Sequence, residues 1–228
     1  MQFTNPNAQV SSPIDAPVRD SFMFSYIFLS GLTLITFIEA IRTNNIKIRN
    51  ILNLETTVSL VATLVYSIFI DKINKNELRL EDVTQYRYYD WAITTPMLIL
   101  VLLIFFNFSE HDAVHLATYA HILFFNYVML LSGYLGETKK INKPTGSAIG
   151  FAAFAVMIWI IYANFITSKS PSAHVLLFAT FTTVWTLYGV AYWLPLRQKN
   201  MMYNGLDVIA KVFFGLYMWA TYSNVFTV

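Results

Sequence analysis

About seven times along this 228-residue chain the sequence runs for roughly 20 residues with hardly a charge. A segment of that length spans the hydrocarbon of a bilayer as a helix, and lipid admits a helix because it hydrogen-bonds its own backbone. Composition agrees: 56% of the residues are hydrophobic, 12% are charged, and the mean hydropathy is +0.51. That charged fraction is about half of what a soluble domain carries. Seven such helices with short loops use up the chain. The expected fold is therefore all-α, a bundle of seven transmembrane helices forming one membrane domain. The chain has no cysteine, which excludes disulfides and thiolate chemistry. Met1 to Val18 lacks the basic start and apolar run of a secretory leader. The net charge of +2 gives no reason to expect nucleic acid as a partner, and no metal site is expected.

Residues 1–18 are polar, carry Pro6, Pro13 and Pro17, and are expected to form a tail outside the membrane; residues 19–228 form the membrane domain. The spans are expected near Phe22–Ala40, Leu52–Ile70, Tyr86–Phe106, Val114–Leu135, Ser147–Ile166, Val175–Leu196 and Asn204–Phe226. Between them lie a short loop at 43–50, a charged loop at 71–82, a tight turn at 109–112, a basic loop at 136–143, a loop at 168–172 and a connection at 197–203. Basic residues are commoner on the side of the N-terminus (Arg19, Lys72, Lys75, Arg79, Lys139, Lys140, Lys143, Arg197, Lys199) than on the other (Arg42, Lys47, Arg49, Lys169). By the positive-inside rule that places the N-terminus in the cytoplasm, although the basic loop after the first span argues the reverse. Charge alone leaves the orientation open.

The seventh run holds two charges, Asp207 and Lys211, four residues apart and so on one helix face. A lysine within a bilayer costs roughly 3 kcal/mol on insertion scales, which makes it first of all a functional residue. A desolvated lysine can form a Schiff base with an aldehyde. The plainer alternatives are a lysine that snorkels to the headgroups or one that merely pairs with Asp207. In or beside the spans the other charges are Glu39, Glu55, Arg87 and Asp90. Glu39 lies at a helix end near Arg42 and is expected at the interface. The third and seventh helices run parallel, so Arg87, Asp90, Asp207 and Lys211 can meet at one depth. Two positive and two negative groups then neutralise one another, which makes their burial tolerable. Such a cluster titrates as a unit, and two carboxylates beside a lysine-derived imine keep it protonated. A purely structural ion-pair network between helices is the alternative.

Two strings carry a resemblance. Residues 87–96 read RYYDWAITTP and residues 206–215 read LDVIAKVFFG, in that order and about 120 residues apart. They resemble the third and seventh helices of microbial rhodopsins, and the similarity extends over roughly residues 20–228. The resemblance implies all-trans retinal bound covalently to Lys211 as a protonated Schiff base, and an N-terminus outside the cell, against the charge count. It implies that Asp90 is the primary counterion and proton acceptor and Asp207 the second counterion. Arg87 would lie on the extracellular side of that pair, and Thr94 would hydrogen-bond the Asp90 carboxylate. Tyr66 and Tyr188 would hold Asp207. Trp91 and Trp185 match the tryptophans that enclose the chromophore, and Thr95, Leu98, Met129, Gly133, Phe151 and Tyr192 match other wall positions. Alone, each of these would be ordinary helix packing; their register with the two strings gives them meaning.

The chain also departs from the family's pattern. Val101, eleven residues after Asp90, stands where outward proton pumps often carry the carboxylate that returns a proton to the imine. Asn107 is too far along the helix and does not titrate. Gly189 stands where many members have proline, and Tyr192 where many have tryptophan. No acidic residue lies between Trp193 and Tyr203, so the glutamates that usually release the proton there are absent. Glu55, on the cytoplasmic half of the second helix and expected to face the third, is the candidate donor. A glutamate near a helix start, favoured by the helix dipole and by solvent, is the equal alternative. A donor on the second helix resembles one branch of the viral rhodopsins, from large DNA viruses of algae and other protists.

The preferred functional reading is a transporter, not an enzyme: a light-driven outward proton pump with Asp90 as acceptor and Glu55 or bulk water as donor. Slow return of the proton is expected. One alternative is a light-gated cation channel, for which Glu39, Glu55, Ser223 and Asn224 are a thin polar set between apolar walls. The other is a slow-cycling photosensor, for which no transducer-binding surface is visible. Sodium pumping is disfavoured because the asparagine and glutamine of those members are missing at the Asp90 and Val101 positions. Chloride pumping is disfavoured because Asp90 keeps its carboxylate. Leu98 resembles green-absorbing members. The expected partners are protons, the lipid bilayer (a host cell membrane if the protein is viral) and further copies of the chain, as a trimer or pentamer.

Overall fold

The computed structural model describes residues 14–108 and 114–223. Six long helices come first: α1 (Ala16–Arg42), α2 (Ile46–Asn74), α3 (Leu80–Phe106), α4 (Leu116–Glu137), α5 (Lys143–Phe165) and α6 (Ser172–Ala191). All six are long and apolar enough to cross a membrane. The seventh span is α7 (Leu196–Asp207), a π-helical stretch (Val208–Phe213) and α8 (Phe214–Tyr222), which continue one another in helical geometry. There is no strand among the described residues. The turn expected at 109–112 lies outside the described residues, as do Asn224 and most of the N-terminal tail.

The helices run further into the loops than hydropathy suggests. A helix end that has left the hydrocarbon can carry charge, so an apolar window underestimates its length. Asn45 caps α2, its Oδ1 accepting from the backbone N–H of Lys47 at 3.0 Å, so most of the expected loop at 43–50 is helix. Glu81 and Asp82 sit in the first turn of α3, where acidic groups complement the helix dipole, and the helix starts at Leu80, not Tyr86. Asn142 caps α5 through the N–H of Thr145 at 2.8 Å, with Pro144 in the first turn. The expected connection at 197–203 is in fact the first two turns of α7. Asp90 consequently lies well inside α3 and not a few residues from its end.

Each helix packs on its chain neighbours, and the seventh span closes the ring against α1 and α2. α3 is the most enclosed helix and α6 the least. The outer faces carry Phe24, Phe28, Phe37, Phe124, Leu131, Trp159 and Leu176, all well exposed. Helices apolar on all sides suit a lipid surround. Polar side chains tie the inside together. Pro96 has no N–H to offer the Ala92 carbonyl, and the Tyr127 hydroxyl donates to that oxygen at 3.1 Å. Tyr119 donates to the Pro96 carbonyl at 2.9 Å, and Asn126 Nδ2 to Thr95 Oγ1 at 2.9 Å, so α4 is fastened to α3 along its length. α4 and α5 cross at Gly136 and Gly146. A Cβ on Gly146 would sit 2.7 Å from the Ser132 carbonyl and 3.2 Å from Gly136 Cα. Small residues at such a crossing let the backbones touch. Gly146→Leu is expected to destabilise the bundle by about 1–3 kcal/mol through overpacking. Thermal denaturation in detergent tests this, and an unchanged midpoint would show that the crossing has room to spare.

A candidate chromophore site at the centre of the bundle

α3 and the seventh span bring the four charged residues together in the interior. Lys211 is 2% exposed, Asp90 2%, Arg87 2% and Asp207 0%, so water solvates none of them freely. Lys211 Nζ donates to Asp90 Oδ2 and lies 3.7 Å from Asp207 Oδ1. Arg87 Nη1 stands 3.3 Å from Asp207 Oδ2. The cluster has two charges of each sign, which is the condition for burying them at all. Lys211 lies within the π-helical stretch, a local widening of the helix that tends to occur at functional sites.

The two carboxylates are provided for very differently. Asp207 Oδ2 accepts from Tyr66 at 2.8 Å as well as from Arg87; Oδ1 accepts from Tyr188 at 2.7 Å and Trp91 Nε1 at 3.4 Å. Four donors occupy it even before Lys211 is counted. Asp90 has one partner, Lys211, and its Oδ1 is buried with no hydrogen bond. Thr94, expected on the Asp90 carboxylate, instead donates to the Asp90 backbone carbonyl at 2.9 Å. A threonine one turn on in a helix has that carbonyl within easy reach. Chemically, a proton can settle on Asp90 without displacing anything, whereas on Asp207 it would have to break an existing bond.

Arg87 closes the cluster on the side of the N-terminus. Its Nε donates to Asn200 Oδ1 at 3.4 Å, its Nη1 to Tyr66 at 3.1 Å, and its Nη2 to Asn204 Oδ1. The rings of Phe22, Tyr66, Phe69 and Tyr203 surround the guanidinium with centroids 5.5–5.8 Å away. Asn204 also donates to Ser21 on α1 at 2.8 Å. Neither Asn200 nor Asn204 stands out in the sequence, because an asparagine carries no charge and residues 197–203 read as a connection. A second buried ion pair, Lys199 with Glu137, links α7 to the end of α4; both side chains are under a tenth exposed. Both residues read as loop charges in the sequence, since nothing local to either shows that they meet.

Beside Lys211 lies a cavity with an empty volume of about 830 Å³. Its walls include Trp91, Thr95, Leu98, Met129, Gly133, Phe151, Trp185, Tyr188 and Tyr192, together with Lys211 itself. The residues expected in the wall line it, and Tyr66, expected on Asp207, stands outside it and donates to that carboxylate. Tyr88, Gly150, Phe154, Gly189 and Tyr203 also line it. Gly189 is needed for space, because a Cβ there would collide with the Phe151 ring. This is the character of a small-molecule site, apolar with few polar groups. An elongated apolar aldehyde fits it, with a buried amine in the wall to bond its carbonyl carbon.

Glu55 lies away from this cluster, on α2, and is fully buried. Neither of its carboxyl oxygens has a hydrogen-bond partner. Its Oε2 lies 2.9 Å from the point where a Cβ on Gly215 of the seventh span would stand. Towards the α1–α2 loop the next turn of α2 holds Ile51 and Leu52, both fully buried. Glu39 pairs with Arg42 at 3.4 Å and is only 7% exposed.

The comparisons with known proteins agree with this geometry. The family model described as bacteriorhodopsin-like protein matches residues 18–225. The crystal structure of the viral rhodopsin OLPVRII superposes with a TM-score of 0.86 at 40% identity, over 92% of this chain and 99% of that one. The green-light absorbing proteorhodopsin of gamma-proteobacterium EBAC31A08 is 27% identical over 151 residues, 60% of this chain and 60% of its own length. Bacteriorhodopsin of Halobacterium salinarum is 27% identical over 147 residues, 57% of this chain and 53% of its own. The chain thus spans about 60% of the length of the first curated relatives that it matches. With almost its whole membrane domain covered by the family model, the chain belongs to the bacteriorhodopsin-like family of microbial rhodopsins.

Proposed function

We propose that this protein is a light-driven outward proton pump that carries all-trans retinal on Lys211 as a protonated Schiff base, with Asp90 as counterion and proton acceptor. The observation that carries the reading is the inequality of the two carboxylates: Asp207 is filled by four donors, while Asp90 has one oxygen free. Bound retinal supplies the absorption of light and an isomerisation that drives a proton from the linkage. The rest falls to the chain's own residues. Asp207 stays anionic and balances the positive charge. Asp90 takes the proton on its unoccupied oxygen. Arg87, held by Asn200 and Asn204, separates Asp90 from the outer half of the bundle, so a proton leaving Asp90 passes it. Trp91, Trp185, Leu98 and Met129 wall the cavity with apolar surface.

Val101 cannot return a proton, and Glu55 is the carboxyl in the other half of the bundle that is buried without partners. A neutral, protonated Glu55 is the form that tolerates such a site, and it is then ready to donate. In this reading the N-terminus and residues 1–18 lie outside the cell, residues 19–228 form the membrane domain, and protons move from the Glu55 side to the Arg87 side. Sequence similarity to a viral rhodopsin supports a host cell membrane as the location. Assembly into a trimer or pentamer belongs to the same reading.

Three substitutions test the assignments. Lys211→Ala with added all-trans retinal is expected to show no visible absorption band, and a normal band would remove Lys211 as the attachment point. Asp90→Asn is expected to shift the absorption to the red and to reduce transport to background; unchanged colour with intact transport would contradict its role. Glu55→Gln is expected to slow recovery of the visible band after a flash by about 100-fold, the scale of losing a positioned general acid, and to make recovery depend on external pH. Wild-type recovery kinetics would remove Glu55 from the cycle.

A further inference from the structure

Gly215 has no conformational reason to be glycine. It lies in ordinary helix in α8, without positive φ, where glycine costs about 1 kcal/mol relative to alanine. Its surroundings supply the reason. A Cβ at this position would stand 2.9 Å from Glu55 Oε2, and 2.7 and 3.1 Å from Leu32 Cδ2 and Cδ1. Atoms in contact prefer about 3.5–4.0 Å, so neither neighbour can remain where it is. Leu32 is 1% exposed and Glu55 0%, so a displaced side chain would have to repack in the interior. The missing side chain is a notch, filled by the Leu32 methyls and by a Glu55 carboxyl oxygen.

The notch has a direction. Gly215 follows Lys211 by four residues, which puts it on the same face one turn further along. α2 approaches the seventh span here, with α1 beside it. The notch lets Glu55 Oε2 lie against the seventh span one turn from Lys211. We propose that Gly215 is a positioning residue, which seats the Glu55 carboxyl on the Lys211 face of α8 and so sets the rate at which Glu55 returns a proton. The proposal rests on the reading of Glu55 as internal donor and adds what holds that donor in place.

The test compares Gly215→Ala with the wild-type protein by two readouts. One is recovery of the visible band after a flash. The other is the infrared C=O stretch of Glu55, identified by its loss in Glu55→Gln and recorded also in the retinal-free protein. Gly215→Ala is expected to shift the stretch and to slow recovery roughly 10- to 100-fold, the cost of misplacing a reacting group by about 1 Å. Adding Glu55→Asp, which draws the carboxyl back by one methylene, should restore part of the rate. Adding Leu32→Ala, which relieves only the apolar contact, should restore neither the rate nor the stretch. If Gly215→Ala alone accumulates poorly, the Leu32→Ala/Gly215→Ala protein serves for both readouts. An unshifted stretch with wild-type recovery, or full restoration by Leu32→Ala, would overturn the proposal and leave Gly215 as a packing residue. Wild-type recovery in Glu55→Gln would instead defeat the donor reading, while the infrared shift would still report whether Gly215 seats the carboxyl.

Discussion

A charged lysine at the centre of an apolar bundle is the constraint from which the remaining interactions follow. Left alone, the charge would cost several kcal/mol. Asp90 and Asp207 offset it, and Arg87 offsets the second carboxylate, so the cluster is neutral as a whole. Each partner then needs partners of its own. Asp207 draws in Tyr66 from α2, Tyr188 from α6 and Trp91 from α3; Arg87 draws in Asn200 and Asn204. Four of the seven spans are thereby tied to one point by polar contacts. In lipid, where burial of apolar surface between helices gains little, such ties and close backbone crossings do much of the specifying.

The same network treats two similar side chains differently. Asp207 is saturated with donors and Asp90 is under-occupied, and the proposed function rests on that difference. Glu55 is a third carboxyl, wholly without partners and on the opposite side of Lys211 from Arg87. Along the seventh span Asn200, Asn204, Asp207, Lys211 and Gly215 succeed one another at three or four residues, and each meets a different element of the mechanism. In the proposed pump this one helix face orders the path from the Arg87 end, through Lys211, to Glu55.

Much of this was legible in the sequence, and the limits are physical ones. The apolar runs fix the number of helices, and the two strings at 87–96 and 206–215 place the cluster, because charges inside the membrane are few and have few partners to choose from. Helix ends were not legible: the charged turns at 80–85 and 197–203 are helical but do not look like membrane. Asn200 was missed for that reason, Asn204 because an uncharged side chain in an apolar run does not stand out, and Lys199 with Glu137 because pairing between distant segments leaves no local trace. Thr94 was expected on the Asp90 carboxylate, but the competing backbone carbonyl is nearer at hand for a threonine in a helix. Glu55 faces α3 in the sequence reading, and the approach of its Oε2 to Gly215 adds a contact with the seventh span that no local pattern shows. Single-residue identity says little about where a carboxyl points; the glycine opposite it says more.

The most direct measurement is of photocurrent from retinal-loaded protein in a cell membrane, with voltage varied and no ion gradient imposed. An outward current that persists at zero gradient, does not reverse with voltage and vanishes in Asp90→Asn is what this account predicts. A current that reverses with the cation gradient would contradict it and make the protein a channel. A normal visible band with no current at all would contradict it as well, and would point to a photosensor.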